Sequence, residues 1–315
     1  MDFAFTPEQD ELRSSARAFL AANPHPSWLQ LAELGWTGAS VAPELGGSGL
    51  GFVEEGILFE ETGRALLHAP FYSTVALVLP ALDDDLRGEV ARGAASWTFA
   101  LGPLVPDLDT ADRVAVVHGD GIHELEEFER DVLETVDDTR PLGVVTGGRP
   151  GRRLGDAAKI LTASRRRSLV ALALEACGVG RRALEYGIEH ASTREQFGRP
   201  IGAYQAVSHQ LATSYAELEL ARSTSLWAAW CVAAADPEAD IAAASAKALA
   251  ADAAVTACER SIQVHGGIGF TWEHVLHRLY KRALGIQAWE ASSAELREAV
   301  AAHLLDGPTF DDTGA

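Results

Sequence analysis

Residues 193–212 read TREQFGRPIGAYQAVSHQLA, a short irregular corner between two long helical runs. Apolar residues recur at helical spacing in the runs before and after it. Arg194 therefore lies near the carboxyl end of one helix, and Gln205 lies early in the next. The arginine can neutralise the carbonyl end of its own helix, or it can offer a fork to paired phosphate oxygens. Two long helices joined in this way predict an antiparallel bundle.

Further helical runs extend this bundle over residues 164–315. The long alanine-rich run ends at QVHGGIGF, residues 263–270. Gly266 and Gly267 can cap that helix, or they can let the backbone approach a phosphate or a ring without side-chain obstruction. Packing or a bond to the helix end is the expected role of His265, and a role in a binding site is the alternative.

The chain before the bundle divides into two parts. Residues 1–90 predict an N-terminal helical domain, whose first helix begins at Thr6 with Gln9 in a capping box. Residues 91–163 contain short β-branched runs closed by Gly and Asp, which are typical of strands and turns. The sequence therefore predicts a mainly α protein with a helical domain, a reduced middle β domain and a C-terminal helical bundle.

Composition excludes several classes of function. The 315 residues carry 26 basic and 45 acidic side chains, a formal net charge of −19, which opposes general attraction to nucleic acid or an anionic membrane. Three cysteines lack metal-ligand spacing, so we expect reduced thiols, no metal and a cytoplasmic protein. The N-terminus lacks the bases of a leader peptide, and no apolar run approaches the ~20 residues of a membrane span.

The basic cluster SRRRS, residues 164–168, is interpreted as an ordinary solvated group.

Six stretches in sequence order resemble the acyl-CoA dehydrogenase family. They are TPEQDELRSSARAFL (6–20), LGWTGASVAPELGGSGLG (34–51), FEETGRALLHAPF (59–71), TREQFGRPIGAYQAVSHQLA (193–212), QVHGGIGFTWEHVLHRLYKRA (263–283) and WEASSAEL (289–296). The resemblance implies an N-terminal helical domain, a middle β domain and a C-terminal four-helix bundle, with FAD as cofactor. It also implies an oxidoreductase of lipid metabolism and β-oxidation that acts on an acyl-CoA and passes electrons to an electron-transfer flavoprotein.

The resemblance assigns the FAD contacts to two segments. The matching positions are Arg194, Gln196, Phe197, Tyr204 and Gln205 at the corner, and Gln263, Val264, His265, Gly266 and Gly267 at the end of the alanine-rich run. In the family these groups contact the FAD of a neighbouring subunit. An arginine fork and side-chain-free backbone also suit a diphosphate chemically.

Oxidation of an acyl thioester requires a base for the α proton, and Glu290 matches the family's most common catalytic carboxylate. Its apolar neighbour Trp289 can raise the pKa of the carboxyl group toward the working pH. Ala291 replaces the family's glycine, and Ser292 replaces the threonine that meets the cofactor. The alternative is a surface acid near a helix N-terminus. Some members place the base on the first bundle helix, but that position falls near Ser168 and has no carboxylate.

One family segment is missing. Nothing between Leu86 and Asp112 matches the Thr-, Glu-, Pro-, Gly- and Ser-bearing segment that lines the flavin in full-length members. Short actinobacterial relatives with this character pair with a longer sister subunit as two-plus-two heterotetramers, often acting on steroid or other bulky CoA thioesters. The first hypothesis is such a shortened, FAD-binding subunit. The second is a self-sufficient homo-oligomeric enzyme that uses Glu290, and the third is a flavin-free scaffold in which Arg194 and Gly266 only hold the helix corner and cap.

Overall fold

The computed structural model describes residues 4–306, so residues 1–3 and 307–315 of the predicted first and last domains lie outside the described residues. The fold is mainly α, with a small sheet between two helical parts, as predicted. The helices are α1 (Pro7–Ala22), α2 (Trp28–Glu33), α3 (Phe52–Ala65), α4 (Asp84–Ala91), α5 (Ala157–Thr193), α6 (Gln205–Ala233), α7 (Ala239–His265), α8 (Leu276–Ala288) and α9 (Ser293–Asp306). The strands are β1 (Trp97–Ala100), β2 (Val105–Pro106), β3 (Arg113–His118), β4 (Gly121–Val132), β5 (Leu142–Asp156), β6 (Glu195–Gln196) and β7 (Arg199–Pro200).

Local chemistry sets the start of the N-terminal part. Gln9 N donates to Thr6 Oγ1 at 3.3 Å and Thr6 N donates to Gln9 Oε1 at 3.1 Å, which completes the predicted capping box of α1. The glycine-rich connection before α3 is tight, because a Cβ on Gly47 would lie 2.2 Å from Val41 O. The segment Tyr72–Val78 then forms a short π-helix, a feature that is often found at functional sites.

The middle sheet has the strand order β1-β3-β4-β5-β2. β1 runs parallel to β3, and the other neighbours pair antiparallel. β5 continues directly into α5, where the Asp156 side chain accepts from Lys159 N at 3.2 Å and caps the helix. The sheet is therefore fixed at the amino-terminal end of α5.

Helices α5 to α8 form the C-terminal bundle, and α9 packs on α7. At 1.5 Å per residue the 37 residues of α5 span about 55 Å. The alanines of α7 are mostly buried, which lets the neighbouring helices approach closely. The stretch Ala239–Phe270 is long and apolar enough to cross a membrane by composition alone, but 72% of its apolar window is buried inside the protein, as expected of a core helix.

Candidate active site

A cavity of about 560 Å³ opens at the amino-terminal end of α5. Most of its lining is apolar and comes from the Tyr72–Val78 segment, the sheet, α5 and the turn between α8 and α9, for example Leu77, Phe99, Leu161 and Trp289. Its charged lining residues are Glu290 and Arg165. The sequence-predicted carboxylate therefore faces a largely apolar space that can receive an acyl group.

The Glu290 carboxylate is held through one of its two oxygens. Tyr72 Oη donates to Glu290 Oε1 at 3.0 Å, and Ser168 Oγ donates to the same oxygen. Tyr72 Oη and Ser168 Oγ lie 2.6 Å apart, and both residues are buried. Glu290 Oε2 has no hydrogen bond within residues 4–306, so it is the oxygen left to accept a proton. Ser168 belongs to α5 and supports the carboxylate of Glu290.

Burial raises the pKa of Glu290 above the usual value of a glutamate, against the lowering effect of the bonds from Ser168 and Tyr72 and of the nearby Lys247 and Arg165. Glu290 is exposed as a whole residue, but its carboxyl end turns onto two buried hydroxyls, and that end decides its pKa. Burial also raises the pKa of Tyr72 well above the usual range, with the charge of Glu290 as the next cause. Tyr72 therefore stays protonated and acts as a donor.

The backbone at Glu290 is strained. Its φ is 63°, in the left-handed region that non-glycine residues seldom adopt. Ala291 N donates to Trp289 O at 2.8 Å, so the chain makes a three-residue γ-turn with Glu290 at its centre, and a γ-turn with positive φ is rare and strained. Such strain persists only where the surroundings over-determine it, and it is commonly found at functional sites.

Trp289 also lines a second cavity of about 330 Å³ between α8 and the loop that joins β4 to β5. A buried ion network forms its wall: Arg282 contacts Glu175 at 2.7 Å and Asp137 at 2.8 Å, and Arg140 contacts Glu175 at 2.6 Å. Each charge therefore has an opposite charge beside it, which offsets part of its desolvation. The network ties the loop to α5 and α8 along one side of the cavity that Trp289 also lines.

The corner at the other end of α5 is a small hairpin of β6 and β7. Phe197 and Gly198 form its two-residue turn with φ values of 52° and 80°, as a type I′ turn requires. Phe197 is 92% exposed although this conformation is unfavourable for an aromatic residue. Tyr204 Oη donates to Gln196 O at 3.3 Å, which braces the hairpin against the start of α6. Gln205 is exposed as the first residue of α6.

The end of α7 lies beside this corner. The ring of His265 stacks on His190 with 4.3 Å between centroids, and His190 is one turn before Arg194. His265 also lies 4.6 Å from the ring of His274, and its Nδ1 bonds to Ser261 O at 2.8 Å. Packing and a helix-end bond, the expected role of this histidine, are thus present. Gln263, Gly266 and Gly267 are exposed, while Val264 packs against the core. The structure therefore brings the two predicted FAD-contacting segments together.

The corner fits a diphosphate. Arg194 is exposed, and within residues 4–306 its guanidinium forms no ion pair. A Cβ added to Gly266 or Gly267 would meet nothing within 4 Å, so their backbone is open to a ligand. The guanidinium of Arg194 and the backbone of the two glycines are therefore available to a ligand that is not part of this chain.

The two parts of the predicted site lie far apart. Ser168 and Arg194 are 26 positions apart along α5, which corresponds to about 39 Å. Because Glu290 bonds Ser168, its carboxylate and the guanidinium of Arg194 lie at well-separated places along α5.

Sequence reasoning misjudged one basic cluster. The interpretation of SRRRS as an ordinary solvated group fits exposed Arg165 but not the whole cluster, because its three arginines have three different surroundings. Arg165 lines the Glu290 cavity, Arg166 pairs with Asp240, and Arg167 pairs with buried Glu55 at 2.5 Å. Successive residues of a helix point about 100° apart, so three adjacent arginines face three different directions. The sequence alone does not show which partner each of them meets.

Three further residues belong to the site: Ser292, which was predicted to contact the cofactor, and Tyr72 and Lys247, which the sequence did not reveal. Ser292 Oγ donates to Glu295 Oε2 at 2.7 Å and accepts from Glu295 N, so it caps the start of α9. Tyr72 was missed because it stands in an apolar run, and a lone tyrosine there was its only signal. Lys247 was missed although it is the single lysine of an alanine-rich helix. Within residues 4–306 no group of three or more His, Cys, Asp or Glu side chains is placed to hold a metal ion.

Comparison with known proteins agrees with this geometry. Residues 6–83 match the N-terminal domain of acyl-CoA dehydrogenases, and residues 157–305 match their C-terminal domain. The chain is 32% identical to acyl-CoA dehydrogenase IpdE2 of Mycobacterium tuberculosis over 293 residues, covering 89% of this chain and 87% of that protein.

Two solved structures share the fold along almost the whole chain. The ChsE4–ChsE5 complex of Mycobacterium tuberculosis matches with a TM-score of 0.87 and 23% identity, over 98% of this chain and 100% of the matched one. A variant of the Tcur3481–Tcur3483 steroid ACAD matches with a TM-score of 0.85 and 26% identity, over 95% of this chain and 98% of that one.

Proposed function

Since this chain belongs to the acyl-CoA dehydrogenase family, we propose that it is the shorter subunit of a two-plus-two complex with a longer sister subunit. The complex dehydrogenates an acyl-CoA thioester between its α and β carbons. FAD is the cofactor of this family, and when bound it supplies the acceptor for the hydride. The observation that carries the proposal is the separation of about 39 Å along α5 between Ser168, which bonds Glu290, and Arg194, and this separation directs the corner toward another subunit's cofactor.

The corner would hold the phosphates of the sister's FAD. Arg194 offers a charged fork, and the glycines offer open backbone. Exposed apolar side chains lie on the same segments, among them Phe197, Phe270 at 71% and Trp272 at 76% exposure. Apolar surface of this kind marks a protein interface. Two of the structural relatives are themselves complexes of two different proteins, which supports an unlike partner.

The middle domain supports the proposal that flavin binding depends on the sister subunit. We propose domain limits of 1–90, 91–163 and 164–315, with the middle domain as the place where this chain lacks a flavin wall. Leu101, Gly102, Pro103 and Leu104 line the cavity there, and none of these side chains can donate a hydrogen bond. The polar atoms of a flavin would therefore receive no side-chain hydrogen bond from these four residues.

Glu290 is proposed as the base. Its Oε2 would accept the proton from the α carbon while Tyr72 and Ser168 hold Oε1. The raised pKa brings the carboxylate nearer to the working pH, where a base is most effective. Because of the distance along α5, a cofactor beside Glu290 would have its phosphates held by another subunit.

The open apolar cavity of about 560 Å³ supports a steroid or another bulky acyl group as substrate, as does the steroid ACAD among the structural relatives. We propose an electron-transfer flavoprotein as the acceptor, on the basis of the family. A cytoplasmic location is also proposed, since Cys177, Cys231 and Cys258 are free and buried.

Turnover of three preparations tests this function: the chain alone, the longer sister alone, and the two co-expressed. Oxidation of a bulky acyl-CoA, followed with an artificial electron acceptor, should need both chains. Full activity of the chain alone would instead establish a self-sufficient homo-oligomer. A complex whose activity equals that of the sister alone would reduce this chain to a scaffold.

A further inference from the structure

A lysine from the middle of α7 reaches the strained turn that carries Glu290. Lys247 is fully buried. Its Nζ donates to Gln287 O at 3.0 Å and to Ala291 O. Gln287 belongs to the last turn of α8, whose carbonyls lack helical donors, and Ala291 directly follows Glu290. One ammonium group therefore bonds the backbone on both sides of Glu290.

A second residue of α7 secures the ends of the same segment through side chains. Asp252 accepts from Gln287 Nε2 at 2.8 Å and from Ser293 Oγ at 2.7 Å. It also pairs with Arg297 at 2.5 Å. Asp252 thus fixes where α8 ends and where α9 begins, while Lys247 is the group that bonds the backbone next to Glu290. The positive φ of Glu290 needs such external restraint, because the turn itself is unfavourable.

We propose that Lys247 is a positioning residue for the reaction: its two hydrogen bonds hold the Glu290 turn in the conformation that presents the carboxylate to the cavity. This inference rests on the proposed role of Glu290 as the base. A misplacement of about 1 Å in a reacting group is enough to cost about a hundredfold in rate. A loosened turn would therefore slow proton removal without preventing the acyl-CoA from binding.

The charge of Lys247 gives this role a signature that a purely structural lysine would lack. Its ammonium lowers the pKa of the Glu290 carboxyl group, against the raising effect of burial. Burial lowers the pKa of Lys247 itself to about 8, opposed by the carboxylates of Glu290, Asp252 and Glu295. Replacing Lys247 by an uncharged residue should therefore raise the pKa of Glu290 and move the acid limb of the rate profile to higher pH.

The test uses Lys247→Met in the co-expressed complex, with Lys159→Met, an exposed lysine of α5, as the matched control. We expect Lys247→Met to lower kcat by about tenfold to a hundredfold with KM within about twofold, while the acid limb moves to higher pH. Hydrogen exchange of residues 287–292 should become at least several-fold faster, with flavin content unchanged. Lys159→Met should change none of these quantities.

Hydrogen exchange separates this proposal from the proposed function, since it is measured whether or not the complex turns over. Unchanged exchange of residues 287–292 in Lys247→Met overturns the proposal, and so does faster exchange spread over all of α7 to α9 without a change in the acid limb. If Lys247→Met does not fold, Lys247→Gln, which keeps a hydrogen-bond donor but no charge, takes its place in the same measurements. It should speed the exchange of residues 287–292 and move the acid limb to higher pH, and a variant with neither change overturns the proposal.

Discussion

At the amino-terminal end of α5 the charged group of Glu290 has its bonding partners within the chain, whereas at the carboxyl end the guanidinium of Arg194 forms no ion pair within residues 4–306. The first end is enclosed by buried hydroxyls and a buried lysine. The second presents an arginine, open glycines and an aromatic side chain on a strained turn. This difference supports the proposal that the first end receives a ligand in its own cavity and that the second serves a neighbouring subunit.

The largest expected effect is at the enclosed end. Glu290→Gln should lower turnover of the co-expressed complex by at least about a hundredfold, because the amide fills the same space but cannot accept the α proton. Flavin content and assembly should stay unchanged, since the corner is at the other end of α5. Glu298→Gln, an exposed acid on α9, is the control and should retain full activity. Unchanged turnover of Glu290→Gln would place the base on the sister subunit.

The next effect is at the open end. Arg194→Ala should weaken FAD binding to the complex by about tenfold to a hundredfold, because charged hydrogen bonds contribute about 1.5–3 kcal/mol. Flavin fluorescence during titration of the stripped complex gives the affinity. The control is Arg153→Ala on β5, since the side chain of Arg153 is 49% exposed. Arg165 is not used as a control because it lines the Glu290 cavity. Equal affinities for both variants would refute the phosphate role of the corner.

A smaller effect is expected from removing one of the hydroxyl groups that hold the Glu290 carboxylate. Tyr72→Phe removes one donor to Glu290 Oε1, and that bond lowers the pKa of the carboxyl group. The pKa of Glu290 should therefore rise further, so that the base is protonated over a wider acid range. The acid limb of kcat against pH should move to higher pH, with little change on the plateau. A limb that stays in place, or moves to lower pH, would show that the hydroxyl does not support the ionised base.

The smallest effect concerns the mouth of the cavity. Arg165 is exposed and, within residues 4–306, forms no ion pair, so it is free to attract an anionic acyl-CoA. Arg165→Ala should raise KM about threefold to tenfold at low salt with kcat retained, and the difference should shrink as salt is added. A KM that is unchanged at low salt would leave Arg165 without a part in binding.

The sequence predicted the fold and the helical corner that holds Arg194, because their motifs are local. It placed the start of the bundle near Ser164, whereas α5 begins at Ala157. The corner is one continuous stretch, and Gly198 readily adopts the positive φ that its turn requires. The supports of Glu290 could not be predicted in this way, since Tyr72 is 218 positions away and Lys247 lies in another helix. Such contacts depend on how helices cross, and no local pattern records that.

The comparison between the two ends is tested most directly by the flavin content of two preparations after size-exclusion chromatography: this chain alone, and this chain co-expressed with its longer sister. We predict that flavin absorbance elutes with the unlike complex, while the chain alone elutes without it. The reason is that the corner of this chain reaches outward to a cofactor whose wall belongs to the sister. A stable homo-oligomer of this chain that retains one FAD per chain would contradict the account.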